Sequence, residues 1–193
     1  MKQFITRYFD ALETCLRDVQ VTDQNDQVLK AEGGIERAAV LIEAQTSAGH
    51  KIIFIGNGAS AAISSHQATD YWKNGRMRAI AFNDAALLTC VSNDFCYDDV
   101  FEKPIEMFAD KGDVLVSISS SGQSENILRG VGAAKKRECE VLTLSGFAAN
   151  NPLRGKGFLN FYVSSGSYGH VEVVHHAIFH CILDTIIEHY RND

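Results

Sequence analysis

Apolar residues recur at steps of three and four over the first fifty positions and then gather into short runs separated by helical stretches. Ile5, Tyr8, Phe9, Leu12, Cys15, Leu16 and Val19 share one helical face. After the polar stretch 22–27 and the pair Gly33-Gly34, a second helix runs through Ile35, Ala38, Ala39, Leu41 and Ile42. Residues 51–55 (KIIFI) carry the signature of a buried strand, and a helix follows over about 60–72. Further strands are expected at 79–82, 114–117, 141–144 and 161–163, with 85–91 leading into irregular sequence. Helices pass through Ile127, Val131 and Ala134, and over about 170–190. Strands alternating with helices predict a mostly parallel five-stranded sheet covered on both faces. No linker, repeat or low-complexity tract divides the chain, so one domain is expected over 1–193: a helical arm (1–48) and an α/β core (49–193).

Composition narrows the function. At 193 residues, 46% hydrophobic and 22% charged, the chain is globular and long enough to bury roughly 70% of its unfolded surface. A formal charge of −6 argues against a nucleic-acid binder, which needs a basic face. It leaves room for a small anion, because a helix N-terminus binds phosphate without Lys or Arg. Five scattered cysteines with no C-x-x-C pair suit reduced thiols inside the cell. No signal peptide is visible, and no apolar run approaches the roughly 20 residues of a membrane span. A soluble cytoplasmic protein is expected.

In parallel sheets ligands sit beyond the carboxyl ends of strands, and two such loops stand out. Gly56-Asn57-Gly58-Ala59-Ser60-Ala61 fits the dinucleotide pattern G-x-G-x-x-[GA], but the nearest acidic partner, Asp84, lies 28 residues after Gly56. A plain glycine turn with Ser60 as N-cap fits equally well. The second loop, Ser117-Ile118-Ser119-Ser120-Ser121-Gly122-Gln123-Ser124-Glu125, is more informative, with five serines in nine residues between a strand and a helix. Hydroxyls and free N–H groups there make a neutral phosphate cradle. The nucleophile elbow G-x-S-x-G of hydrolases is absent.

A third signal lies on helices. His66 and Asp70 are four apart, as are Glu172, His176 and His180, with His175 beside them. Five of the seven histidines fall from residue 170 onward. Imidazoles and carboxylates at that spacing share one face and suit proton transfer or a divalent metal. Glu172 and His180 are about 12 Å apart along the helix, so Glu172 with His176, or His176 with His180, is the easier ligating pair.

Together, GNGAS (56–60), VSNDF (91–95), GDVLVSISSSGQS (112–124) and the terminal helix resemble the sugar-isomerase (SIS) family over nearly the whole chain. The likeness is greatest to the branch that isomerises sedoheptulose 7-phosphate. The resemblance implies a three-layer α/β/α fold and a homotetramer with active sites between subunits. It places Ser119, Ser120, Ser121 and Ser124 in the phosphate loop, and Asn57, Ser60 and Asp94 on the substrate. Asp70 falls at a catalytic glutamate, Glu172 at a glutamine and His180 at the catalytic histidine, with His66 near the metal or base. These imply Asp70 and His180 as the acid–base pair, and His66, Asp70, Glu172 and His180 as ligands of a possible zinc ion, with His176 an added candidate. Gly169 stands where the family often has an aspartate, and Lys73-Asn74 where an arginine is usual. The leading expectation is therefore an aldose–ketose isomerase of a sugar phosphate working through an enediol. The alternatives are a non-catalytic phosphosugar-binding or adaptor protein of the kind that partners the replication initiator, and, third, a dinucleotide enzyme.

Overall fold

A computed structural model describes residues 1–190 of the chain. In order the elements are α1 (Lys2–Arg17), β1 (Gln20–Asp23), β2 (Val28–Leu29), α2 (Ala31–Ser47), β3 (Ile52–Gly56), α3 (Ala59–Lys73), β4 (Ala79–Ala81) and α4 (Ala85–Asp94). A 3-10 turn (Tyr97–Asp99) leads to α5 (Glu102–Phe108), β5 (Val114–Ser119), α6 (Glu125–Lys136), β6 (Glu140–Ser145), β7 (Leu159–Tyr162) and α7 (Tyr168–Tyr190). The strands form one sheet in the order β2-β1-β7-β6-β5-β3-β4. The five strands from β7 to β4 are parallel and are those the apolar runs predict.

The sheet has seven strands among the described residues, not five. The two additions form a hairpin inside what reads as a helical arm. Val21 is fully buried and pairs antiparallel with Phe161, extending the sheet beyond β7. The Asp23 carboxylate accepts the N–H groups of Asn25 and Gln27, turning the chain back into β2. So the polar stretch is the tip of a hairpin.

Burial on both faces explains the unbroken apolar runs. Ile52 and Phe54 pack with α2, α3 and α7 on one side, while Ile53 and Ile55 pack with α5 and α6 on the other. The β-strand alternation of side chains makes this split, and each such side chain contributes roughly 1.5–3 kcal/mol by leaving water. Helix α1 is different, since none of its residues is buried.

The connections fix where a ligand can enter. Neighbouring β3 and β5 are both parallel, yet the chain leaves β3 for β4 at the sheet edge and leaves β5 for β6 on the opposite side. Their carboxyl ends therefore frame the crevice at a topological switch point. Both glycine- and serine-rich loops open there.

Candidate active site

The serine loop is held in an unusual turn. Gly122 has φ +63°, and a Cβ on it would overlap the Asn151 side chain, so only glycine fits. The Gly122 N–H donates to Ser119 Oγ at 3.1 Å, and the Gln123 N–H donates to Ser121 Oγ at 3.3 Å. Ser124 is the N-cap of α6 with extended backbone, but its side chain makes no capping bond. That leaves its hydroxyl and the positive end of α6 facing the loop's interior.

The opposite wall comes from the turn after β3. A Cβ on Gly56 would come within 2.6 Å of the Ser60 backbone, so glycine lets α3 start directly against the strand. Helix α3 begins at Ala59 with Gly58 as its N-cap. Ser60 is therefore not the cap but a buried residue of the first helical turn. Between the walls lies a cavity of about 140 Å³. Asn57, Ser60, Ser119, Ser120, Ser121 and Ser124 all line it, joined by Tyr168 and Glu172 from α7. The lining includes no Lys or Arg, and a phosphate would be held there by hydroxyls, amides and the helix dipole. Ser117, though part of the serine run, is buried in β5 with its Oγ unpartnered and does not line the cavity.

Asp84, the acid a dinucleotide fold would need, is occupied differently. Its Oδ1 accepts the N–H groups of Ala86 and Leu87 and caps α4. Asp94, at the far end of α4, is exposed and bonded to Cys90 and Asn93, outside the cavity lining.

The histidine–carboxylate cluster forms where α3 crosses α7. His66 Nε2 lies 3.1 Å from Asp70 Oδ2, and His180 Nδ1 lies 3.8 Å from the same oxygen. His180 Nε2 faces His176 Nε2 at 3.1 Å. One ring nitrogen from each of His66, His176 and His180 fits within 4.8 Å of the others. Burial, and then the neighbouring imidazoles of His180 and His66, hold His176 below the ordinary histidine value despite the opposing pull of Asp70. Three imidazoles converging beside a carboxylate are a donor set that suits zinc.

Glu172 stands apart from that ligand group. It lines both the serine cavity and a second recess of about 370 Å³ that includes His66 and His176. Helical spacing is the reason: His176 and His180 are one turn apart and reach a common point, whereas Glu172 sits a further turn back toward the serine loop. Of the expected residues, the structure thus gathers Asn57, Ser60 and the four serines into one cavity, and His66, Asp70, His176 and His180 into one cluster, with Glu172 between them. Tyr168 and Asn126 were not read as site residues. An isolated tyrosine at the first position of a helix carries no sequence signal, and Asn126 does not line the cavity but hydrogen-bonds to Asn57, which does.

The SIS domain model matches residues 7–146. Phosphoheptose isomerases of Salmonella paratyphi B and Salmonella newport are 34% identical over 160 residues, covering 79% of this chain and 82% of theirs. The solved phosphoheptose isomerases of Neisseria gonorrhoeae and Francisella tularensis superpose with TM-scores of 0.83 and 0.84 at 26% identity, over 97% of this chain and 98% of each of theirs.

Proposed function

The chain belongs to the SIS domain family, and from that premise we propose that it is an aldose–ketose isomerase of a sugar phosphate, acting on sedoheptulose 7-phosphate or a close relative of it. The observation that carries this reading is Glu172, which lines the serine cavity and the histidine recess at once. A phosphate held by Ser119, Ser120, Ser121 and Ser124 would place the sugar's carbon chain past Glu172 toward the cluster. Asn57 and Ser60 would hold it from the other wall, and Asp94, at the end of α4, is the further substrate contact that the resemblance implies.

Asp70 and His180 are the acid–base couple in this reading. A proton leaves the carbon beside the carbonyl as the carbonyl oxygen takes one up, giving the enediol. A hydroxyl proton is then lost as the former carbonyl carbon is protonated. Positioned acid–base catalysis of this kind is worth roughly 10²–10⁴-fold. His66, His176, His180 and Asp70 would hold a divalent cation such as zinc, which supplies polarisation of the sugar's oxygens when bound.

The exposed apolar side chains of α1, among them Phe4, Ile5, Phe9 and Leu16, support a homo-oligomer, which we propose to be a tetramer. Five free cysteines support a cytoplasmic setting, and no helix among the described residues is long and apolar enough to cross a membrane. Purified protein should convert sedoheptulose 7-phosphate to an aldose phosphate, assayed with and without added zinc. Absence of conversion across a panel of sugar phosphates would remove the isomerase reading.

A further inference from the structure

The two walls of the serine cavity are joined by a pair of side-chain amides. Asn57 Nδ2 donates to Asn126 Oδ1 at 2.9 Å, and Asn126 Nδ2 donates to Asn57 Oδ1 at 2.9 Å. Such a pair is reciprocal, so turning both amides over would preserve it. Of two further bonds, the first breaks that symmetry, while the second, from a hydroxyl that can donate or accept, follows it. The backbone N–H of Ile127, in the first turn of α6, donates to Asn126 Oδ1 at 2.9 Å. The Tyr97 hydroxyl donates to Asn57 Oδ1 at 3.0 Å. With the amides reversed, the Ile127 N–H, which also reaches the Ser124 carbonyl at 3.1 Å, would lose its shorter acceptor and meet an NH₂ group donor to donor, in a position where Asn126 is 2% exposed. Helix α6 therefore dictates the orientation of Asn126, and Asn126 dictates that of Asn57.

A consequence follows for the ligand. Asn57 Oδ1 already accepts from both Asn126 and Tyr97, which fills its two lone pairs. One hydrogen of its Nδ2 is committed to Asn126, leaving the other for the cavity that Asn57 lines. We infer that Asn126 is a positioning residue that makes Asn57 a donor only, so that the atom Asn57 recognises is an acceptor oxygen of the substrate. This rests on the phosphosugar reading for the identity of that oxygen, which could belong to the phosphate or to the sugar, but not for the amide geometry itself.

The geometry is tested without ligand by the side-chain amide resonances of Asn57 in ¹⁵N-labelled protein. Asn126→Ala should shift both Asn57 Hδ signals and speed their exchange with water, and Tyr97→Phe should shift them without speeding exchange as much. Unmoved signals in a folded Asn126→Ala protein would overturn the inference. If that variant fails to fold, Asn126→Asp substitutes, since its carboxylate still accepts from Asn57 Nδ2 and from Ile127.

Binding supplies the second arm, with inorganic phosphate and sedoheptulose 7-phosphate as probes in calorimetry. Asn57→Ala and Asn126→Ala should each weaken the affected probe by about tenfold, the scale of one lost hydrogen bond to a charged or polar partner. The double variant should bind no more weakly than Asn57→Ala, because Asn126 acts through Asn57. Multiplying losses would contradict this. Weakening of both probes assigns the oxygen to the phosphate, and weakening of the sugar phosphate alone assigns it to the sugar. A parent protein that binds neither probe would remove the phosphosugar reading while the resonances still decide the amide pair.

Discussion

The Nε2 atoms of His176 and His180 face each other at 3.1 Å across one turn of α7. Two ring nitrogens this close share a single proton or direct both lone pairs to one cation. His66 brings a third nitrogen within 4.8 Å. The arrangement is thus a proton-sharing pair that a divalent ion can take over.

That exchange makes metal affinity the first prediction. Zinc titrated into metal-stripped protein should bind with one ion per chain and release protons. His176→Ala should weaken binding by more than the roughly 10–100-fold that loss of an outer partner costs. An unchanged affinity in that variant would remove His176 from the ligand set.

Separate variants should split binding from chemistry. Ser121→Ala should raise KM and the dissociation constant of the sugar phosphate with kcat little changed, because the serine acts on a distant phosphate. His180→Ala should lower kcat by roughly 10²–10⁴-fold and leave phosphate binding nearly intact. Steady-state kinetics with equilibrium binding distinguishes the two, and full turnover in the His180 variant would end its catalytic assignment.

A third prediction concerns pH. His175 is fully buried, with Nε2 at 3.1 Å from the Ser145 carbonyl, and burial pushes its pKa down to about 4. In the unfolded chain it titrates at about 6.5, so between those values the unfolded state binds the extra proton. Stability is then lost as pH falls from about 6.5 toward 4, by on the order of 3 kcal/mol. His175→Gln, which keeps a donor to Ser145, should flatten the decline in denaturant melts. Parallel curves for parent and variant would contradict this assignment.

Much of the site was legible because its signals are local. Serine density after a strand, and His and carboxylate at four-residue steps, need only one element each, and the fold supplies their meeting point. The hairpin of β1 and β2 was not legible. Val21 is a strand residue only because Phe161, 140 positions later, lies beside it, and no periodicity shows over strands of four and two residues. The seven-residue α5 escaped for a similar reason, being too short for a helical repeat and carrying Pro104 in its first turn. Glu172 illustrates a subtler limit. Its spacing on α7 is shared with His176 and His180, but only the position of the serine loop decides that it lies between the two recesses.

Gly122 offers a stability test of the loop itself. Gly122→Ala would force a side chain into a left-handed turn and against Asn151. The strained backbone alone costs on the order of 1–3 kcal/mol. A lower melting temperature with a larger loss of phosphate affinity is expected, whereas an unperturbed protein would show that the turn is not fixed.

The most direct measurement is NMR of sedoheptulose 7-phosphate incubated with the protein in deuterated buffer, with and without zinc. The account predicts an aldose phosphate carrying deuterium on the carbon beside the carbonyl, since the enediol exchanges its proton with the acid–base couple. Neither aldose nor deuterium incorporation under either condition would contradict it.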